Sequence, residues 1–221
     1  MAIEAKGSSG QEEGEEEFWL FGYGSLIWKP PPHFDHRGTP SSPGRVVTLI
    51  PSDYHATLSD PHPPTSDKVW GVAYRILPSR VSEVKTYLDI REINGYTIHY
   101  ADFHPAADNA STIKTLVYIG TPDNQQFTGP QELDELAEHI YRSEGPSGLN
   151  RDYLWGLEES LKGLGEGSED EHVSDLSERV RRIARREEEK GTAQEEEHEE
   201  VGHPFRKVSS IDEVEEMEKG V

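Results

Sequence analysis

The apolar residues of this chain fall into short runs bounded by glycine, proline or charged residues, a pattern that is typical of β-strands. The run Arg45–Ile50 is rich in β-branched side chains and lies between Pro43-Gly44 and Pro51, so we expect a buried strand there. The same reasoning predicts strands over residues 18–21, 69–76, 96–104 and 113–120.

Helical spacing of apolar residues appears in three other segments. Val81, Val84 and Leu88 recur at this spacing, which predicts a helix over residues 79–90, with Ser79 as its N-cap. Two further helices are predicted from apolar positions within residues 133–140 and 153–161. Strands and helices together indicate an α+β domain that ends where the hydrophobic pattern stops, near residue 165.

The charges change this picture mainly at the two ends. The chain has 221 residues, of which 22 are basic and 43 acidic, for a net charge of −21. More than half of the acidic residues lie in residues 1–17 and 166–221. We therefore predict a disordered acidic leader over 1–17, a folded domain over 18–165, and a disordered or transiently helical charged tail over 166–221. The excess negative charge also argues against nucleic acid as a partner.

Cysteine is absent, which excludes disulfides, thiolate metal sites and cysteine nucleophiles. No apolar run suggests a signal peptide or a membrane span, so we expect a soluble cytoplasmic protein with no membrane partner. The pairs His33/His36 and His99/His104 lack a carboxylate at ligand spacing. We predict no metal site and no cofactor.

The first apolar run leads directly into a glycine loop, Gly22-Tyr23-Gly24-Ser25. Glycines let the backbone approach a ligand closely, and consecutive N–H groups in such a turn can form an anion-binding nest. A simple hairpin turn is the alternative interpretation. A dinucleotide-binding loop is excluded, because the prolines at 30–32 prevent the helix that must follow such a loop.

The amino-acid sequences of several segments resemble motifs of a known protein family. Phe21-Gly22-Tyr23-Gly24-Ser25-Leu26-Ile27-Trp28-Lys29-Pro30 resembles the opening motif of the ChaC-like glutathione-specific γ-glutamylcyclotransferases. Further matching blocks follow in order over residues 35–40, 43–49, 69–75, 87–96, 117–121 and 145–154. The resemblance implies a γ-glutamylcyclotransferase-like fold, a mixed β-barrel with flanking helices.

The resemblance also implies an activity and its residues. The expected reaction is cleavage of glutathione to 5-oxoproline and Cys-Gly by a monomer without a cofactor, in which Glu92 is the acid/base. The substrate would be bound by the loop residues Gly22, Tyr23, Gly24, Ser25, Leu26 and Ile27. Tyr153 is either a further substrate contact or a core residue. Other γ-glutamyl compounds are an alternative substrate class.

The chain departs from the family pattern at one point. Asp35 runs directly into His36-Arg37-Gly38, where the family has roughly twenty further residues, about a strand with its turns. A mis-spliced gene model or an alternative transcript would explain the gap. A barrel without one strand has two unpaired edges. The alternative function is therefore a catalytically impaired binding or regulatory variant.

Overall fold

The first apolar run forms strand β1, Phe18–Gly22, which lies inside a four-stranded sheet of order β2-β1-β4-β3. The computed structural model describes residues 17–29, 36–62, 68–84, 86, 96–107 and 109–201. The other strands are β2, Val72–Ile76, β3, Tyr96–Phe103, and β4, Ile113–Gly120. The predictions of strands at 18–21, 96–104 and 113–120 are thus confirmed to within one residue, and the strand predicted at 69–76 begins three residues later.

The strand directions give a mixed sheet. β1 is antiparallel to β2, from Phe18↔Ile76 to Gly22↔Val72, and it is parallel to β4 at Leu20↔Leu116. β3 and β4 are antiparallel over their full length. Among the described residues β2 and β3 are the two edges, so the sheet is open. The fold is α+β, as predicted, but the predicted closure into a barrel is not confirmed.

One face of this sheet carries a small core. Leu20, Leu116 and Tyr118 are buried together with Val84. Val84 lies in the helical residues 81–84, which follow a 3₁₀ turn at Pro78–Arg80. Proline occupies the first position of that turn, where its missing N–H costs nothing, so Ser79 is not the N-cap that the sequence predicted. Most of the predicted helix from residue 85 to 90 lies outside the described residues.

The second half of the domain is helical. The short helix α1, Ser52–His55, lies in a segment for which no helix was predicted. The two later helices are confirmed as α2, Leu133–Arg142, and α3, Asn150–Lys162. A small hairpin of β5, Glu144–Gly145, and β6, Gly148–Leu149, connects α2 to α3. None of the helices in the described part of the chain combines the length and apolar character that a membrane span needs.

The segment Arg45–Ile50 differs from its prediction. It forms no strand, and Val46 is 46% and Val47 39% exposed. A buried strand needs a pairing partner along its length. Among the described residues, the backbone contact of this segment to a strand is one hydrogen bond, from the Gly120 N–H to the Leu49 carbonyl at 2.7 Å. The prediction of a buried strand at 45–50 is therefore wrong.

Helix α4, Glu171–Val201, occupies much of the predicted charged tail. Val173, Leu176 and Val180 on its first turns are buried. The chain divides into two compact units after Val180, so these residues belong to the first unit with the sheet. The domain boundary at 165 remains a prediction, but the burial of these three side chains favours a later one. The predicted leader, residues 1–17, lies outside the described residues except for Glu17.

Candidate functional site

The glycine loop leaves strand β1 at Gly22 and turns at once into a 3₁₀ helix, Gly24–Ile27. Gly24 has φ of +59°, in the left-handed region that favours glycine. The Leu26 N–H donates to the Tyr23 carbonyl at 3.2 Å, which closes the turn. The predicted binding residues 22–27 are therefore one continuous structural unit, a strand end and a tight turn.

Gly24 is also tightly enclosed. A Cβ at this position would lie 2.9 Å from Val47 Cγ2 and 3.2 Å from the Tyr153 hydroxyl. The first distance is shorter than van der Waals contacts allow, so both the backbone angle and the space require glycine. The loop therefore rests directly on the side chains of Val47 and Tyr153.

Tyr74 on strand β2 holds the far end of the loop. Its hydroxyl donates a hydrogen bond of 2.6 Å to the Leu26 carbonyl. A Cβ on Gly22 would lie 3.0 Å from Tyr74 Cε2, so the ring covers the exit of β1. Burial raises the pKa of the Tyr74 phenol, which keeps the proton needed for this hydrogen bond.

Tyr153 lies beneath the loop and is 3% exposed. Its hydroxyl accepts the Val47 backbone N–H at 3.1 Å, and its ring centroid is 5.8 Å from that of Trp28. The guanidinium carbon of Arg37 stands 5.8 Å from the Tyr153 ring centroid. These contacts support the interpretation of Tyr153 as a core residue, whose hydroxyl positions the segment that faces Gly24.

A clamp formed by Arg37, Gly44, Arg45 and Asn150 fixes that segment. Asn150 is fully buried, and its side-chain amide bonds both the N–H and the carbonyl of Arg45 at 2.6 and 2.7 Å. The Arg37 Nη1 donates to the Leu149 carbonyl at 2.8 Å. A Cβ on Gly44 would lie 2.0 Å from the Arg37 carbonyl oxygen, so the two backbone segments are too close for any residue but glycine at position 44. The clamp joins sequence blocks that are more than a hundred residues apart.

The loop geometry offers hydrogen-bond donors to a ligand. The first N–H groups of a helix have no acceptor within that helix, and here they belong to Gly24 and Ser25. The left-handed turn at Gly24 makes adjacent N–H groups converge, an arrangement that binds carboxylate or phosphate. The same donors can stabilise an oxyanion that forms on a carbonyl carbon.

The structure thus brings together residues 22–27 and Tyr153 from the prediction. The predicted acid/base Glu92 lies outside the described residues. Sequence reasoning missed Tyr74, Val47 and Arg37 as supports of the loop, although each is part of a block that carried the family resemblance. Those blocks meet around the loop in space, which is the signal that would have identified them.

Comparison with known proteins gives matches over most of the chain. A family model described as ChaC-like protein matches residues 18–36 and 33–183. A protein from Schizosaccharomyces pombe named glutathione-specific γ-glutamylcyclotransferase is 39% identical over 196 residues, which is 76% of this chain and 94% of that protein. The Saccharomyces cerevisiae protein of the same name is 37% identical, over 65% of this chain and 84% of its own.

The fold is also similar to that of a solved structure. A crystal structure of the γ-glutamylcyclotransferase specific to glutathione from yeast superimposes with a TM-score of 0.62 at 34% identity. The similarity covers 75% of this chain and 96% of that one. The two segments of the family match overlap at residues 33–36, the same point at which the sequence predicts a gap of roughly twenty residues in the family pattern.

Proposed function

Because this chain belongs to the ChaC-like family, we propose that it is a glutathione-specific γ-glutamylcyclotransferase, which cleaves glutathione to 5-oxoproline and Cys-Gly. The observation that carries this proposal is the intact glycine loop, enclosed by Val47, Tyr74 and Tyr153 within the matched fold. The yeast relatives of this name are similar over most of their length.

The reaction needs no nucleophile from the protein. The α-amine of the γ-glutamyl group attacks its own γ-carbonyl carbon, a new C–N bond closes the five-membered ring, and the bond to the cysteinyl nitrogen breaks. Two protons must move: the attacking nitrogen loses one and the departing amine gains one. Holding the substrate in the folded shape contributes up to roughly 7–11 kcal/mol in the best intramolecular cases.

We assign the proton transfers to Glu92, which occupies the acid/base position of the family motif in Leu88-Asp89-Ile90-Arg91-Glu92. A carboxylate there can accept the proton of the attacking nitrogen and return it to the departing amine. A positioned acid/base of this kind contributes about 10²–10⁴-fold to the rate. This role comes from the motif alone.

We assign the binding of the γ-glutamyl group to residues 22–27. The N–H groups of Gly24 and Ser25 would hold the α-carboxylate or polarise the γ-carbonyl oxygen. The carboxylate is a charged acceptor, and the carbonyl oxygen gains negative charge as the amine attacks. Support comes from the left-handed turn at Gly24 and from the Tyr74 hydrogen bond to Leu26, which together fix the direction of these donors.

The substrate class is tested by turnover. Purified full-length protein is incubated with glutathione and, separately, with γ-glutamyl dipeptides, and 5-oxoproline is measured. Release from glutathione alone supports the proposal. Release from all γ-glutamyl compounds would assign the broader substrate class, and no release from any of them would contradict enzymatic function.

The role of Glu92 is tested by substitution. Glu92→Gln keeps the size of the side chain but cannot accept a proton, so we expect kcat to fall by at least about 10²-fold with KM nearly unchanged. The matched control is Asp89→Asn, which removes a neighbouring carboxylate of the same motif and should retain activity. If Asp89→Asn abolishes turnover and Glu92→Gln does not, the assignment of the base is wrong.

A second candidate function is a catalytically impaired binding or regulatory protein. The exposure of Val46 and Val47 and the break of the family match at residues 33–36 favour it. Sequencing the transcript across codons 30–40 decides whether the gap is real. If the transcript carries the additional segment, the longer chain is the one to assay, and if it does not, the turnover experiment decides between the two functions.

The closed barrel of the family fold is also part of the proposal. The segment that follows Arg45 reaches the end of strand β4, where the Leu49 carbonyl accepts the Gly120 N–H. A strand inserted between residues 34 and 36 would precede this segment directly and offer backbone partners to it. We expect chains that contain the segment to bury Val46 and Val47.

A further inference from the structure

A cluster of one carboxylate and two imidazoles lies outside the glycine-loop site. Asp60 and His62 follow helix α1, and His172 is the second residue of helix α4. Each offers one ligand atom, and the three atoms lie within 4.8 Å of one another. The His62 and His172 rings meet edge to face with centroids 5.5 Å apart. Residues more than a hundred positions apart in the sequence thus converge on one point.

Two nitrogen atoms in this cluster form no hydrogen bond among the described residues. The Nδ1 atoms of His62 and His172 are both buried, and neither has a hydrogen-bond partner among the described residues. Burying a polar atom without a partner costs free energy, about 1–3 kcal/mol for each group. Two such atoms in adjacent rings indicate that a group absent from the protein chain supplies their partner.

The surrounding groups orient the three side chains. The His62 Nε2 faces the Asp175 carboxylate at 3.4 Å, which directs Nδ1 of the same ring away from it. Asp60 accepts the His62 backbone N–H at 2.8 Å and is 2.9 Å from His55 Nε2, and its two oxygens keep further lone pairs. In metal sites, an imidazole ligand usually contacts a carboxylate through its other nitrogen, and a carboxylate ligand usually accepts hydrogen bonds from neighbouring groups. Asp175 and the hydrogen bonds to Asp60 correspond to this arrangement.

We propose that Asp60, His62 and His172 bind a divalent zinc ion. Two imidazole nitrogens and one carboxylate oxygen match the donors that zinc takes, whereas calcium and magnesium require oxygen ligands alone. Three protein ligands leave a fourth tetrahedral position for water. His62 binds through Nδ1, because Asp175 occupies the side of Nε2.

The ion joins two elements that are distant in sequence. Asp60 and His62 lie in a surface loop, and His172 lies at the start of α4, whose Val173 and Leu176 are buried. Binding free energy at such a site adds to the stability of the folded state, because the unfolded chain has no preformed site. Zinc therefore links the first turn of α4, through His172, to the loop after α1, through Asp60 and His62.

The experiment uses the full chain without a histidine tag, freed of metal with a chelator. Zinc is then titrated alone, in competition with a chromogenic chelator, and thermal unfolding is followed with and without zinc. We expect one equivalent of bound zinc and a rise in the melting temperature. His172→Gln should lower the zinc affinity at least tenfold and abolish the rise in melting temperature. Asp60→Asn is a second variant in case His172→Gln does not fold.

The control is His104→Gln, which removes an exposed histidine on the chain segment after β3 and should leave zinc binding unchanged. Circular dichroism without metal shows whether each variant is folded. The proposal is overturned if the native chain binds no zinc at micromolar concentration. It is equally overturned if folded His172→Gln and Asp60→Asn variants bind zinc as the native chain does, or if His104→Gln removes the binding.

Discussion

At the scale of single residues, the glycine loop shows how a sequence motif becomes a geometry. The motif predicted a close backbone approach, and the structure shows what is approached: Val47 and the hydroxyl of Tyr153. The loop could be predicted because the need for glycine is local. The sequence singled out Tyr153 but not its packing with Val47, since these two residues are 106 positions apart and meet only in the fold.

This enclosure gives a prediction for Gly24→Ala. The new methyl group would contact Val47 Cγ2 at 2.9 Å and the Tyr153 hydroxyl at 3.2 Å, and φ of +59° is strained for alanine. We expect a loss of stability of roughly 1–3 kcal/mol and, because the loop must move, at least a tenfold loss of kcat/KM for glutathione. Denaturant unfolding and steady-state kinetics measure the two effects.

Gly129→Ala is the matched control. Gly129 has a similar φ of +65°, but nothing lies within 4 Å of its missing Cβ. The strain from this φ should therefore lower the free energy of unfolding about as much as the strain at residue 24 does. It should not affect kcat/KM. Equal kinetic losses in both variants would show that the loop does not depend on its contacts with Val47 and Tyr153.

At the scale of elements, helix α4 has a buried apolar face in a segment whose residues are mostly charged. The many charged residues after residue 166 suggested a solvated tail with transient helix. The structure has a helix of 31 residues, and Val173, Leu176 and Val180 return at intervals of three and four, so they share one helix face. Charged residues separate the apolar positions of this face, so the sequence composition of the segment is dominated by charge.

We predict that Leu176→Ala destabilises the whole domain. Leu176 is 4% exposed, and truncating a buried leucine costs about 2–5 kcal/mol in a packed core. The control Thr192→Ala lies on the same helix at an exposed position and should change stability by less than about 0.5 kcal/mol. Urea unfolding followed by tryptophan fluorescence reports on the sheet through Trp19. A Leu176→Ala variant as stable as the native chain would support the predicted domain boundary at residue 165.

At the scale of the whole molecule, the α+β class and three of the strands were accessible from the sequence, because each strand is a local run with clear boundaries. The arrangement of those strands was not accessible. The segment Arg45–Ile50 has the composition of a buried strand, yet it lacks a strand partner along its length among the described residues. Whether a segment pairs as a strand depends on which partner segments the rest of the chain supplies. The composition of the segment itself does not contain this information.

The pH dependence of global stability follows from Tyr74. Burial raises the pKa of its phenol, so above about pH 10 the unfolded chain loses this proton first. The free energy of unfolding should therefore fall as the pH rises from 10 toward the pKa of the folded state. Tyr74→Phe should make this alkaline decrease smaller, whereas Tyr100→Phe, which removes a hydroxyl from a side chain that is 63% exposed, should not. Equal alkaline slopes in native chain and Tyr74→Phe would contradict this origin.

The position of β1 inside the sheet has a consequence for synthesis on the ribosome. β1 is translated before the other strands described, but one of its neighbours is β4, and the loop that follows it rests on Tyr153. Tyr153 follows Gly24 by 129 residues, so at 5–20 residues per second the glycine loop waits roughly 6–26 s for this support. The glycine loop is thus translated before its supports and is completed only after them, and nascent chains that stop before α3 carry the binding motif without the site.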